Sequence, residues 1–421
     1  MSAVSPSKYN RIELQKKGKK SVELKGGVVS VDYYESLYSP TVTANVMYVD
    51  AGGNLEDDKN KLTSVKEALP ITGLEDLFFN ITNETGELKF LKKDAFKVSK
   101  APVMTRESNR QAVLLSVVSP QLKQNNDDPI FDKYMGKISD TVKKILKEKL
   151  KISNDKLDIE PTQNGYNFLG KGRGGLDLVL DLCKRSVPIK GDAGFFFYQT
   201  KSGFKFKSIN ELISQKPEFT LVYFGGFKQD NTEDNNDNKI MMPPRFEKDQ
   251  DVIKSLKGGV YRSRNIFFDP RTFCYEEVTY DISAKEGIKK TLGGAPPFAD
   301  DVKSFTKTFH HILDVGSLDS NPSTKINNDP RDWQASSVMR YNLLHSQVVH
   351  IQIPCNLKLE AGNVIKMEIE STSANKEEGA KDEQQSGNYL ILNLCHHFTD
   401  RRSITSLTLV RDTYGIKRSK D

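Results

Sequence analysis

The most constraining feature of this sequence is an alternation of apolar and polar residues with a period of two, found in blocks toward both ends of the chain. Between Thr41 and Val49, the residues Val42, Ala44, Val46 and Tyr48 share one side. Val29, Val31 and Tyr33 do the same in the preceding segment. Toward the other end Val349, Ile351 and Ile353 alternate, then Ile365, Met367 and Ile369, and Ile404–Val410 closes the series. Successive side chains of a strand point to opposite faces, so the pattern predicts sheets with one buried and one wet face. Gly86–Val98, Gln111–Val118 and Phe219–Phe227 read as further strands. So do Ile266–Phe268 and Phe273–Tyr280, on either side of an Asp269-Pro270 turn.

The period changes twice. After Pro120, Ile138, Val142, Ile145 and Leu146 recur at helical spacing. A second helix is predicted near Leu176–Arg185, with Leu176, Val179, Leu180 and Cys183 as its face. Gly194–Thr200 reads as a strand with aromatics on both faces, hence a buried one. A later helical interlude covers about 298–345. Val302, Phe305, Phe309 and Ile312 form one stripe there. A further helix opens at Asp329-Pro330, with Asp as N-cap and Pro at the first helical position.

The fold class is therefore mainly β with α/β inserts. Residues 1–20 read as a basic, flexible tail. A first β block takes 21–119 and 218–244, interrupted by an α/β insert over 120–217. A second β block takes 245–290 and 346–415, interrupted by a helical insert over 291–345, and 416–421 is a tail. The polar stretch 228–239 is the expected linker, and 371–387 reads as a hairpin tip without order. The plan is duplicated in architecture, with no repeat at the level of residues.

A length of 421 residues suits two to four domains. The 62 Lys and Arg against 56 Asp and Glu give a net charge of +6. The excess belongs to the ends: residues 1–25 hold seven bases and two acids, residues 411–421 four and two, and the rest nets −1. A nucleic-acid reading of the body has no charge to rest on. No apolar run approaches the roughly 18 residues that span a bilayer. The polar, Lys-rich start has no secretory apolar core, so folding in a cytosol is expected. Cys183, Cys274, Cys355 and Cys395 lie 91, 81 and 40 residues apart, without zinc-site spacing. They read as free, buried thiols.

Gly170-Lys171-Gly172-Arg173-Gly174-Gly175 fits the GxGxxG pattern between a strand and a helix. The insert offers too few strands for a dinucleotide crevice, and the acid expected about 20 residues on is at best Asp192, in a turn. The segment reads as a tight basic turn whose Lys171 and Arg173 could meet a phosphate or an acidic partner. A Walker loop, HExxH and GxSxG are all missing from the sequence. The histidines fall as His310-His311, His345, His350 and His396-His397. Strand geometry turns His396 and His397 apart, and a helix places His310 and His311 about 100° apart, so neither pair suits one metal ion. No carboxylate pair is marked for glycoside cleavage. The basic run Lys16-Lys17-Gly18-Lys19-Lys20 lacks interleaved aromatics for stacking bases. No catalytic, cofactor-binding or metal-ligating residue is assigned, and no cofactor is expected.

Four stretches together resemble the central baseplate hub proteins of contractile-tailed bacteriophages. They are Val31–Asp50 with Leu69–Gly73, Ile138–Leu182, Ala193–Ile213 and Ser386–Tyr414. The resemblance implies that the two β blocks are tail-tube-like antiparallel barrels. It implies a homotrimeric ring in the virion baseplate, assembled in the host cytoplasm without membrane insertion. Partners would be a central spike below, tail tube or tube-initiator proteins above, and wedge proteins around. Tape-measure protein and DNA would pass through the lumen. The chain runs only seven residues past Tyr414, so a spike is expected as a separate protein. A tail-associated peptidoglycan hydrolase and a DNA-binding tail component are the alternatives.

Overall fold

The computed structural model describes all residues except 1–5, 53–54, 57–61, 108–109, 224–237, 250, 283–289, 294–304, 306, 317, 319–325, 373–380 and 414–421. Most of the expected 228–239 linker, Val302 of the helical stripe, the centre of 371–387 and the tail 416–421 lie outside the described residues.

The principal strands of the first part are β1 (Lys8–Gln15), β2 (Val28–Ser36), β3 (Thr43–Asp50), β4 (Asp76–Asn83), β5 (Gly86–Phe90), β6 (Phe96–Lys100) and β7 (Gln111–Val118). Helices α1 (Pro120–Asp127), α2 (Ile138–Glu148) and α3 (Gly175–Cys183) follow, then β8 (Phe195–Thr200) and β9 (Gly203–Ser208). The second part holds β10 (Thr220–Tyr223), β11 (Arg245–Asp249), β12 (Arg262–Asp269), β13 (Cys274–Asp281) and β14 (Lys307–Ile312). Helix α4 (Gln334–Leu343) precedes β15 (Gln347–Pro354), β16 (Val364–Ile369), β17 (Gly387–Thr399) and β18 (Ser403–Arg411).

The chain is mainly β, with large antiparallel sheets and few helices. One 15-stranded sheet runs in the order β11-β15-β18-β17-β2-β3-β7-β6-β4-β1 and ends on the short pair Val22–Glu23. Its two parts meet through β2 and β17, paired antiparallel from Asn393 opposite Ser36 to Thr399 opposite Ser30. The alternation decides which face is inward. Val42, Ala44, Val46 and Tyr48 are buried, as are Ile351, Ile353, Leu407 and Leu409 from the far part. They belong to one apolar core shared by both parts. Each large apolar side chain withdrawn from water contributes about 1.5–3 kcal/mol, so a one-residue slip in register is heavily penalised. Val29 is the exception to its predicted face. A bulge between Val28 and Ser30 turns it outward, and Val28 takes the inner place.

Five expectations fail. The basic tail is not flexible over Lys8–Gln15: β1 pairs with β4, and Ile12 and Leu14 are fully buried. Residues 218–244 do not complete the first block. β10 runs parallel to β16, and Met241 N–H donates to the Gln352 carbonyl, so this segment lies on the second part. β12 and β13 leave the second block and form a separate three-stranded sheet with β14. That last strand replaces part of the expected helical insert: Phe309 and Ile312 sit on β14, parallel to β12. Three-residue spacing fits one helical face, but the four residues Phe309–Ile312 are too few to separate periods of 2 and 3.6. The end of the supposedly structureless 371–387 tip is also ordered, where Asp382 accepts from the N–H groups of Gln384 and Gln385.

The stretch 130–206 has its own core. The helical stripe Ile138, Val142, Ile145 and Leu146 is buried against Leu176, Val179 and Leu182 of α3 and against Phe195 and Phe197 of β8. The other face of β8 places Phe196 and Tyr198 in a third cluster with Val348, Val364, Leu390 and Val410. This explains a strand apolar on both faces. It is the sheet that seats the insert on the second part.

Candidate functional site: two buried polar joints

Where the insert meets the rest of the chain, two buried polar clusters stand among apolar residues. Arg340, on α4, is the first. Its side chain is 1% exposed. Nε lies 3.0 Å from Asp192 Oδ2 and Nη1 lies 3.4 Å from Asp412 Oδ2. Nη2 donates to the Asn210 side-chain oxygen and, at 2.6 Å, to the Lys290 carbonyl. Asp412 also accepts from the Leu292 N–H at 2.9 Å. Burial raises the Asp412 carboxyl above its ordinary range, and the Arg340 charge pulls it back. One guanidinium thus ties the insert, α4, the end of β18 and the 290–292 segment. A buried cation is tolerated only with such partners.

The second cluster is built on two acids. Glu35 of β2 is buried, and its carboxylate accepts from the Tyr33 hydroxyl at 2.7 Å, Lys201 N–H at 2.7 Å and Ala361 N–H at 2.8 Å. Burial, with the nearby Glu360 charge, pushes its pKa up to about 7 against the pull of these donors. Glu360 accepts from Thr200 and Ser202 hydroxyls at 2.9 and 2.8 Å and pairs with Lys205 Nζ at 2.7 Å. Burial works against its ionisation, but the Lys205 charge and the two hydroxyls prevail and hold it below the usual range. The Lys201 ammonium donates to the Leu357 carbonyl. Both parts of the large sheet and the insert meet here.

Both carboxylates are committed to fixed donors. Among the described residues no group of three or more His, Cys, Asp and Glu side chains could hold a metal ion. His396 and His397 do turn apart. His396 is buried beside Tyr33, bonds Thr405 Oγ1 at 2.8 Å, and burial lowers its pKa to about 3. His397 pairs with Asp32. His310 and His311 are on a strand, not a helix, so they too face opposite ways. Cys183 and Cys355 are buried; Cys395 is half-buried, and burial raises its pKa to about 12. Cys274 corrects the buried-thiol expectation, since it is exposed at the start of β13.

The glycine-rich turn is tight, with Lys171 and Gly172 at φ of 54° and 73°. A Cβ at Gly170 would run into the Ile130 carbonyl. The α3 N-terminus behind it is closed by a side chain. Asn125 Oδ1 accepts from Leu176 N–H at 2.7 Å, and Asn125 Nδ2 donates to Asp177 at 3.3 Å. A dinucleotide phosphate would need those amides. Lys16, from the basic run, donates to the Pro70 carbonyl at 2.9 Å and Thr72 Oγ1 at 2.8 Å. Sequence reasoning missed both joints. Glu35, Asp192, Arg340 and Glu360 carry no local signal; only the oddity of an acid at the inward-pointing position 35 of β2 could have marked one of them.

Two solved tail proteins share this fold. A tail protein from Neisseria meningitidis MC58 superimposes with a TM-score of 0.54 at 9% identity over 96% of both chains. The 43 kDa tail protein of prophage MuSo2 from Shewanella oneidensis gives a TM-score of 0.51 at 10% identity, covering 97% of this chain and all of that one. No family model matches the chain, and no curated protein sequence does. Among the described residues no helix is long and apolar enough to cross a membrane.

Proposed function

We propose that the chain is a structural hub of a contractile phage-tail baseplate, with no catalytic role. Three copies form a ring in which two barrel-like parts per subunit supply six similar units, matching a sixfold tube above and a threefold spike below. The observation that carries this reading is the end-to-end structural correspondence with two tail proteins of similar length. The joints support it as well. They lock an insert onto a continuous sheet, as a load-transmitting part requires. Wedge proteins would pack around the ring, and tape-measure protein and DNA would pass through it. A near-neutral body suits that passage, since tight phosphate binding would stall it.

Light scattering of the purified chain tests the reading. A trimer, alone or on adding the cognate spike protein, is expected, because obligate subunit interfaces bury large apolar areas. A stable monomer at micromolar concentration, unchanged by the spike, would overturn it. Clearing of peptidoglycan in a zymogram would overturn the non-enzymatic part.

A further inference from the structure

The basic turn of the insert is not used by the joints, and its surroundings form a distinct surface. Residues 130–137 run antiparallel to 165–173: Lys133 faces Leu169 and Tyr134 faces Phe168, with bridges from Ile130 to Arg173 and from Lys137 to Gly165. Alternation buries Ile130 and Tyr134 and turns Phe131, Lys133 and Met135 outward. Phe131 is 72% exposed, Met135 48% and Leu169 43%. The Phe131 ring lies over Gly172, where a Cβ would come within 3.0 Å of it. Three large apolar side chains thus share one wet face, more than scattered surface apolarity explains.

Beside this face opens a cleft of about 410 Å³, lined in part by Lys171, Arg173, Arg185, Asp181 and Asp314. Arg173 is paired with Asp181. Asp314 is engaged by Asn327 Nδ2 at 3.0 Å and Gly316 N–H at 3.1 Å. Arg185 lies between rings, 4.9 Å from the Tyr166 centroid and 5.4 Å from that of Trp333. Among the described residues, neither Lys171 nor Arg185 has a carboxylate partner. The ring stacking fixes the Arg185 guanidinium in place, so binding an acid there costs little side-chain entropy.

We propose that this face is a docking site for an acidic, amphipathic segment of a partner protein. Its apolar side chains would cover Phe131, Met135 and Leu169, and its carboxylates would meet Lys171 and Arg185. Charge complementarity selects the acid. The apolar face disfavours a nucleic-acid backbone, and Asn125 already occupies the neighbouring helix N-terminus. The inference rests on the assembly reading only in expecting a protein partner.

The test is fluorescence anisotropy of the full-length chain with a short labelled peptide alternating Asp or Glu with Leu or Phe. Binding is expected, with about a tenfold loss for Lys171→Glu, Arg185→Glu or Phe131→Ser, the scale of losing one interface anchor. Lys171 and Phe131 are exposed, so an unchanged melting temperature shows that those variants fold. A peptide with Lys in place of the acids should not bind. The proposal is overturned if the acidic peptide does not bind, or binds all three variants equally. It is also overturned if a single-stranded oligonucleotide of equal charge binds as tightly through the same residues, or if Phe131→Ser changes only self-association. The peptide-binding outcomes do not depend on whether the chain is trimeric, so their failure leaves the ring reading to its own light-scattering test.

Discussion

The two buried joints do the same work with the same count of charges, one cation to two carboxylates, but place the cation differently. Around Arg340 one cation sits between two carboxylates, Asp192 and Asp412. Around Glu35 and Glu360 the cation Lys205 pairs with Glu360, while Glu35 is met by the Tyr33 hydroxyl and the N–H groups of Lys201 and Ala361. The first cluster is fully enclosed, with its cation beside both carboxylates. The second has an acid held near its titration point, so it should respond to pH. Buried ionic clusters specify geometry at a cost in solvation, and their behaviour follows which carboxylates the cation reaches.

The largest effect should come from Arg340→Met. It strands two buried carboxylates and should cost about 3–5 kcal/mol, read as a large fall in melting temperature. Adding Asp192→Asn and Asp412→Asn should recover much of the loss; no recovery would show that the arginine acts by packing alone.

Glu35 should give the next largest effect, as a pH slope. Its folded pKa is raised to about 7 from an ordinary 4.5, so the folded state holds the proton more tightly. Its favourable contribution is complete below about pH 4.5, falls as pH rises through that window, and is gone above about 7. The difference across the window is of the order of 3 kcal/mol. His396, lowered to about 3, works oppositely, losing stability as pH falls below 6.5. The slope is therefore best read as the difference between the wild type and Glu35→Gln in urea unfolding at pH 5 and pH 8. Equal differences at the two values would break the comparison.

Lys205→Met comes third. It removes the cation that keeps Glu360 ionised and should cost about 1–3 kcal/mol at neutral pH. In the wild type the Glu360 contribution is present above the ordinary carboxylate range and is lost as pH falls through its lowered folded value. In the variant that acid-side loss should vanish, which acid titration of the fold would show. The smallest effect is expected for Lys171→Ala. An exposed cation with no carboxylate partner among the described residues should change stability by less than about 0.5 kcal/mol, in contrast to either joint.

Much of the secondary structure was legible. The 42–48 alternation and the 138–146 stripe are local patterns, and burial follows them residue by residue. The aromatics of β8 announced a strand buried on both faces. Strand β1 was also legible in principle, since Ile12 and Leu14 alternate with Arg11 and Glu13, but the neighbouring lysines masked it. The whereabouts of β10, β12 and β14 were not, because strand pairing depends on partners far along the chain.

What the sequence by itself determined is therefore the type of each strongly periodic segment and the face it buries. Those are consequences of local geometry and the hydrophobic effect. Only the tertiary structure decided which strands share a sheet and where charge could be enclosed. Arg340 meets residues 72, 130 and 148 positions away, and Ala361 reaches Glu35 across 326. No pattern within a window of sequence encodes such contacts. They exist because the packed core brings the segments together and excludes the water that would otherwise solvate them.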